Sequence, residues 1–125
     1  MTFAADTLGA WEQAAEIEIE TSRGAGTAVH KTTIWIVVAD GQAYVRSVRG
    51  PAGRWYRELT ANPDGAVHLA GQRVAVRALP AADAATVGRV SEVLQTKYGG
   101  RWAGPTAAML RDEALPTTLR LEPLT

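Results

Sequence analysis

The stretch TAVHKTTIWIVVADGQAYVRSVRG, Thr27 to Gly50, decides the fold. Two β-rich runs flank Asp40-Gly41, a pair preferred at the centre of a two-residue type I′ hairpin because both positions need positive φ. That turn sets a register. Ala39 faces Gln42, Val37 faces Tyr44, Trp35 faces Arg46 and Thr32 faces Arg49. Side chains alternate across a sheet, so Trp35, Tyr44 and Arg46 are predicted on one face and Thr32, Ile34, Ser47 and Arg49 on the other. The unbroken apolar run from Ile34 to Ala39 predicts a central strand covered on both faces, as in a small barrel.

Upstream, EIEIETS alternates, with Ile17 and Ile19 on one side and Glu16, Glu18 and Glu20 on the other. That is the pattern of a half-buried strand with a solvated acidic side. RGAG after it reads as a turn, and ADTLGAWEQAAE before it as a short helix or turn. Downstream, GAVHLAGQRVAVRAL reads as a second hairpin, with Gly71-Gln72 as a type II′ turn. Val67, Leu69, Val74 and Val76 are predicted inward, and His68, Arg73, Ala75 and Arg77 outward. The period then changes. Val87, Val90, Val93, Leu94 and Tyr98 fall near helical spacing, and Gly99-Gly100 ends the run. GPTAAMLRDEAL predicts another helical turn or two, and TTLRLEPL a last strand. The expected architecture is mainly β with α: six strands, mostly antiparallel hairpins, with one substantial helix after them, as a barrel or sandwich.

The 125 residues predict a single domain, residues 1–125. Lys+Arg and Asp+Glu are balanced at 13 each, which argues against a general polyanion binder, so no nucleic-acid partner is expected. Without cysteine there is no disulfide, thiolate metal site or cysteine nucleophile. The start MTFAADTLGAWEQ lacks a basic segment followed by an apolar run, and IWIVVA is too short to span a membrane. The expectation is a soluble, cytoplasmic protein.

At YVRS, RWYREL and TANPDGAVHLAG the chain resembles the flavin-binding split β-barrel proteins, including the pyridoxamine phosphate oxidase-like and deazaflavin-dependent nitroreductase-like families. In these, a strand ending in a small or hydroxyl residue leads into a glycine-containing loop. A Trp-Tyr pair, a helical turn and an Asn-Pro follow. Here those elements are Val45-Arg46-Ser47, Arg49-Gly50-Pro51-Ala52-Gly53, Trp55-Tyr56 and Ala61-Asn62-Pro63. IWIVV, YVRSVRG, GRWYRE and KYGG look most like a branch of small uncharacterised split-barrel proteins. The resemblance runs from Thr27 to Gly100.

The resemblance implies a six-stranded antiparallel split β-barrel, often a homodimer. It also implies FMN or an 8-hydroxy-5-deazaflavin cofactor, with its phosphate on the loop after the third strand. The candidate cofactor-binding residues are Thr32, Arg46, Ser47, Arg49, Gly50, Arg54 and Trp55. Arginine offers planar, charge-assisted bonds to a phosphate, glycine lets main-chain amides approach it, and hydroxyls add short donors. The nitroreductase-like relatives usually carry a longer loop with a lysine where this chain has VRGPAGR, which leaves FMN and deazaflavin both open.

Each feature also has a plainer reading. Arg46, Arg49, Arg54 and Arg57 could form a phosphate clamp or a solvated face paired with Glu58 and Asp64. Trp35, Trp55 and Tyr56 could stack on a ring system or pack in the core. Lys97, Tyr98, Arg101 and Trp102 could close over a ligand, or Gly99-Gly100 and Lys97 could simply end the helix. His30 and His68 are the only histidines and no metal site is expected. No side chain is marked as catalytic, so any redox chemistry would belong to the cofactor. Two functions stand: a flavin- or deazaflavin-binding protein that could act as an oxidoreductase of a small organic substrate, or a non-catalytic small-ligand-binding or dimerisation module on the same fold.

Overall fold

Asp40 and Gly41 carry φ values of 52° and 77°, so the decisive turn is the predicted type I′ hairpin. It joins β3 (Val37–Ala39) to β4 (Gln42–Val45), with Val37 paired to Tyr44 and Ala39 to Gln42. The structure is a computed structural model that describes residues 2–124. Its other strands are β1 (Ile17–Ser22), β2 (Val29–Ile34), β5 (Asp64–Leu69), β6 (Gln72–Pro80) and β7 (Leu119–Pro123). The helices are α1 (Ala5–Gln13), α2 (Arg54–Ala61), α3 (Ala84–Tyr98) and α4 (Ala103–Met109). Single 3-10 turns cover Gly50–Ala52 and Leu115–Thr117.

All pairings are antiparallel, in the order β2-β1-β5-β6-β7-β4-β3. The two edge strands, β2 and β3, are consecutive in the chain and separated only by Trp35 and Ile36. One stretch of chain therefore supplies both edges of the sheet, which curls into a half-barrel. This corrects the expectation of six strands and of a straight strand through Ile34–Ala39. Thr32 pairs with Ile19 of β1, not with Arg49. The bend has a tertiary cause. Trp35 stacks flat on Tyr98 of α3, with ring centroids 3.8 Å apart and planes 7° apart. The Ile36 carbonyl, instead of entering a ladder, accepts from Lys97 Nζ at 2.7 Å.

The second hairpin turns one residue earlier than predicted. Leu69 pairs with Gln72, and Ala70 and Gly71 have φ of 52° and 80°, so this is another type I′ turn. The partners shift by two residues, so that Val67 opposes Val74 where the predicted turn would set it opposite Val76, and an even shift leaves the face assignment intact. Val67 and Val76 are fully buried, while Leu69 and Val74 pack partly against the same core.

That core fills the concave side of the sheet with Ile17, Ile19, Val45, Leu59, Val67, Val76 and Leu121. The acidic alternation of β1 falls as read, with both isoleucines buried and Glu18 exposed. A second core lies under α3, where Val90, Leu94 and Tyr98 meet Val37 and Met109. Their i, i+4, i+8 spacing is one helical stripe. Asp83 caps α3 by accepting from the Thr86 amide at 3.0 Å. α3, at 15 residues, is the substantial helix of the reading, and α1, α2 and α4 are shorter, at nine, eight and seven residues. Among the described residues no helix is long and apolar enough to cross a membrane.

Candidate ligand-binding cleft

A cleft of about 790 Å³ opens where the bend at Trp35, the segment after β4, the start of α2 and the α3–α4 connection converge. Its walls include three indoles, Trp35, Trp55 and Trp102, with Met109. Thr32, Arg46, Ser47, Arg49, Arg54 and Trp55 of the predicted set all line it. Gly50, the seventh, does not.

These residues play different parts. Arg49 precedes the 3-10 turn and Arg54 opens α2; both are exposed. Among the described residues neither guanidinium is paired with a carboxylate or bonded to a side chain. The alternative partners are engaged elsewhere, since Asp64 accepts from Arg77 and Glu58 from Thr21 and His30. α2 also begins at the cleft with no side chain capping its first amides, and Gly53 at its N-cap lines the cavity. A helix start with free amides favours an anion.

Arg46 corrects the clamp reading. It is 2% exposed and its guanidinium is used inside the protein. Nε donates to Thr118 Oγ1 at 2.9 Å, Nη1 to Ser91 Oγ at 2.9 Å and the Met109 carbonyl at 3.1 Å, and Nη2 to the Val87 carbonyl at 3.1 Å. Burial without a carboxylate lowers its pKa to about 10. The residue ties β4, α3, α4 and β7 together behind the cleft. Ser47 is also committed: its hydroxyl donates to the Gly50 carbonyl at 2.8 Å, and its amide donates to Thr117 Oγ1 at 2.9 Å. Gly50 shapes the loop. It has φ of +63°, and a Cβ there would lie 2.8 Å from the Glu113 carbonyl oxygen. Trp55 is 7% exposed, part core and part cleft wall.

The segment Lys97–Trp102 divides similarly. Trp102 lines the cleft, while Arg101 stacks over its ring at 4.7 Å. Lys97 donates to the Trp11 and Ile36 carbonyls, and burial brings its pKa down to about 8. The Tyr98 hydroxyl donates to the Ala15 carbonyl at 2.9 Å, and burial pushes its pKa up to about 12. These two side chains hold α1 and the Trp35 bend to α3.

Sequence reading passed over two residues here. Glu16, assigned to a solvated strand face, lines the cleft. Only the bend that brings Trp35 beside it reveals this. Glu58, on α2, is 5% exposed; Thr21 Oγ1 donates to its Oε1 at 2.8 Å, and His30 Nδ1 lies 3.0 Å from the same oxygen. Burial would raise this carboxyl, but the bonds from Thr21 and His30 outweigh it and hold it below the ordinary range. The carboxylate fastens α2, and with it Arg54 and Trp55, to β1 and β2. The signal was its helical spacing from Trp55, which puts both on one buried face with Leu59. His68 bonds to Glu20, and among the described residues no group of three or more His, Asp or Glu side chains could hold a metal.

A seven-stranded antiparallel sheet curled into a half-barrel, with a cleft beside its bent edge strand, defines a split-barrel protein. The chain belongs to the family described as "Uncharacterized protein conserved in bacteria (DUF2255)", which matches residues 7–121. Among solved structures it is similar to HutZ, the heme storage protein from Vibrio cholerae, at 12% identity and a TM-score of 0.64, covering 100% of this chain and 92% of that one. It is similar to a putative pyridoxamine 5'-phosphate oxidase from Listeria innocua at 16% identity and a TM-score of 0.61, covering 95% and 90%. An F420-H2 dependent reductase (FDR-A) matches at 13% identity and a TM-score of 0.63, covering 86% and 94%. At these identities the likeness is one of fold, and it is the split-barrel fold that the motifs resembled. No curated protein matches the chain.

Proposed function

We propose that this chain is a single-domain, flavin- or deazaflavin-binding split-barrel protein that takes FMN or an 8-hydroxy-5-deazaflavin cofactor in the Trp35–Trp55–Trp102 cleft. The observation that carries the reading is one of charge. Two exposed arginines, Arg49 and Arg54, make no ion pair or side-chain hydrogen bond among the described residues and stand at an aromatic-walled cleft beside an uncapped helix start. Aromatic walls suit a planar ring, and unpaired guanidiniums with free amides suit its phosphate. Relatives of the same fold are named as a pyridoxamine 5'-phosphate oxidase and an F420-H2 dependent reductase, which supports the reading.

The heme storage protein of the same fold supplies the comparison. Haem iron takes an axial ligand from His, Cys, Met or Tyr, and among the residues lining the cleft only Met109 is of that kind. The cleft favours a flavin-type ring over haem. If the ring carries redox chemistry, the chain's part is to bind and orient it and the small organic substrate. Glu16 is the one lining side chain able to act as an acid or base, and the lining has no His, Lys, Tyr or Cys; the second reading is the non-catalytic ligand-binding module. The proposal extends to a homodimer, for which light scattering at twice 13.3 kDa is the expected result.

The test is titration of the purified protein with FMN, the deazaflavin cofactor and haem, read by fluorescence quenching and absorbance. Saturable micromolar or tighter binding of FMN or deazaflavin is expected. Binding of haem alone, or of none of the three, overturns the reading.

A further inference from the structure

Resting on the flavin or deazaflavin reading, we infer that Glu16 orients the ligand. Its carboxylate accepts from the ring N–H of the heterocycle at one end of the cleft, while Arg49 and Arg54 hold the phosphate at the other. Glu16 is the only acidic side chain lining the cleft, and among the described residues it has no hydrogen-bond or ion-pair partner. Its backbone is fixed on both sides. The preceding Ala15 carbonyl accepts from the Tyr98 hydroxyl, and the following Ile17 is buried and paired with Ile34. The carboxylate therefore projects from a held position next to Trp35.

The charges sit at different ends. Glu16 immediately precedes Ile17, which pairs with Ile34, so it stands beside Trp35 at the start of β1. Arg54 opens α2 next to Trp55, and one turn further on Glu58 is bonded to Thr21 near the other end of β1. The cleft thus has an acidic end walled by Trp35 and a basic end walled by Trp55. A ligand that matches both has an anionic group at one extremity and a hydrogen-bond donor on its aromatic ring at the other. The pyrimidine edge common to flavins and deazaflavins carries such a donor, the N3–H. An uncharged ring without an N–H leaves the carboxylate unpaired, and one with an acceptor there repels it.

The experiment uses three probes, FMN, riboflavin and N3-methyl-FMN, titrated into the full chain and its Glu16→Ala and Arg49→Ala variants. A hydrogen bond to a charged group corresponds to about tenfold to a hundredfold in affinity. Glu16→Ala, which leaves no acceptor at the position, is expected to weaken FMN and riboflavin alike by at least about tenfold and to leave N3-methyl-FMN unchanged. Arg49→Ala is expected to weaken FMN and N3-methyl-FMN but not riboflavin. Thermal melts without ligand should match the parent, since both side chains are exposed. FMN binding that Glu16→Ala does not weaken, or an equal loss for N3-methyl-FMN, overturns the orientation while the cofactor reading stands. Failure of the parent to bind any of the three overturns both.

Discussion

On the outer face of the sheet, Glu20 accepts from His68 and from two nitrogens of Arg73, and Asp64 accepts from two nitrogens of Arg77. At the cleft, Arg49, Arg54 and Glu16 face solvent with no such partners among the described residues. The two regions draw on the same residue types. On the outer face antiparallel pairing sets arginine beside acid, as where Asp64 opposes Arg77 across β5 and β6. The cleft arginines come from a turn and a helix start, where no strand delivers a carboxylate. Charge neutralised within the chain marks a surface. On the proposed reading, the charge left open around the aromatic cavity is what the ligand pairs with. Arg46 is a third case, buried and bonded to neutral groups only.

The largest expected effect separates Arg46 from its neighbours. Arg46→Ala removes the donor that bridges two carbonyls and two hydroxyls where β4, α3, α4 and the start of β7 meet. Each unsatisfied buried group costs about 1–3 kcal/mol, partly offset by removing a buried charge, so a loss of about 3–5 kcal/mol is expected. Thermal unfolding should fall by roughly 10 °C or more. Arg46→Lys should recover little, because an ammonium cannot reproduce the fork. A melt within about 2 °C of the parent would place the residue among the ligand contacts instead.

Arg49→Ala should behave in the opposite way. Affinity for FMN or the deazaflavin cofactor should drop by about 1.5–3 kcal/mol, tenfold to a hundredfold. Stability should change by no more than about 0.5 kcal/mol, as for an exposed side chain without partners. Parallel titrations and melts check both halves. If affinity holds, the phosphate is not at this loop; if the melt collapses, the loop depends on Arg49.

That two arginines three residues apart divide in this way could not be read from VRSVR. Arg46 is set by partners 41 to 72 residues away in the chain, and nothing local announces them. The Asp40-Gly41 turn, the alternation of β1 and the stripe of α3 were legible because each is a local pattern with one geometric solution. The bend at Trp35-Ile36 was not. A run apolar on both faces fits a straight central strand equally well, and only Tyr98 and Lys97, some sixty residues on, break it. The cleft was legible in part for a different reason from the one that predicted it. Thr32 reaches the same cavity as Arg49 through the bend, not through a shared hairpin register.

A smaller effect is expected on the outer face at acid pH. Hydrogen bonding from Arg73 leads the causes that hold Glu20 near pKa 2, against burial, which raises it. A depressed folded-state carboxyl adds stability that is complete above its ordinary value and disappears as pH falls toward 2. Urea midpoints should therefore decline between about pH 5 and 2, and Arg73→Ala should flatten that slope. Because Arg73 is half exposed, at 53%, the pair should be worth about 1 kcal/mol or less at neutral pH. An unchanged acid slope in the variant would leave His68 as the partner that matters.

The smallest effect belongs to Asp64, and it tests the comparison from its other side. Asp64 and Arg77 make a two-pronged pair across β5 and β6, at 2.9 Å and 3.3 Å. Yet the side chains are 42% and 48% exposed, so water already solvates both. Holding two flexible groups together in high dielectric gains little beyond what it costs in side-chain freedom. Asp64→Asn should leave the urea midpoint and the affinity for FMN or deazaflavin indistinguishable from the parent at 0.15 M salt, where the Debye length is about 8 Å. At low salt a slight destabilisation should emerge and then vanish as salt is added. If Asp64→Asn instead weakens the ligand as much as Arg49→Ala does, paired and unpaired charges are not functionally distinct in this fold, and the open guanidiniums lose their standing as the mark of the site.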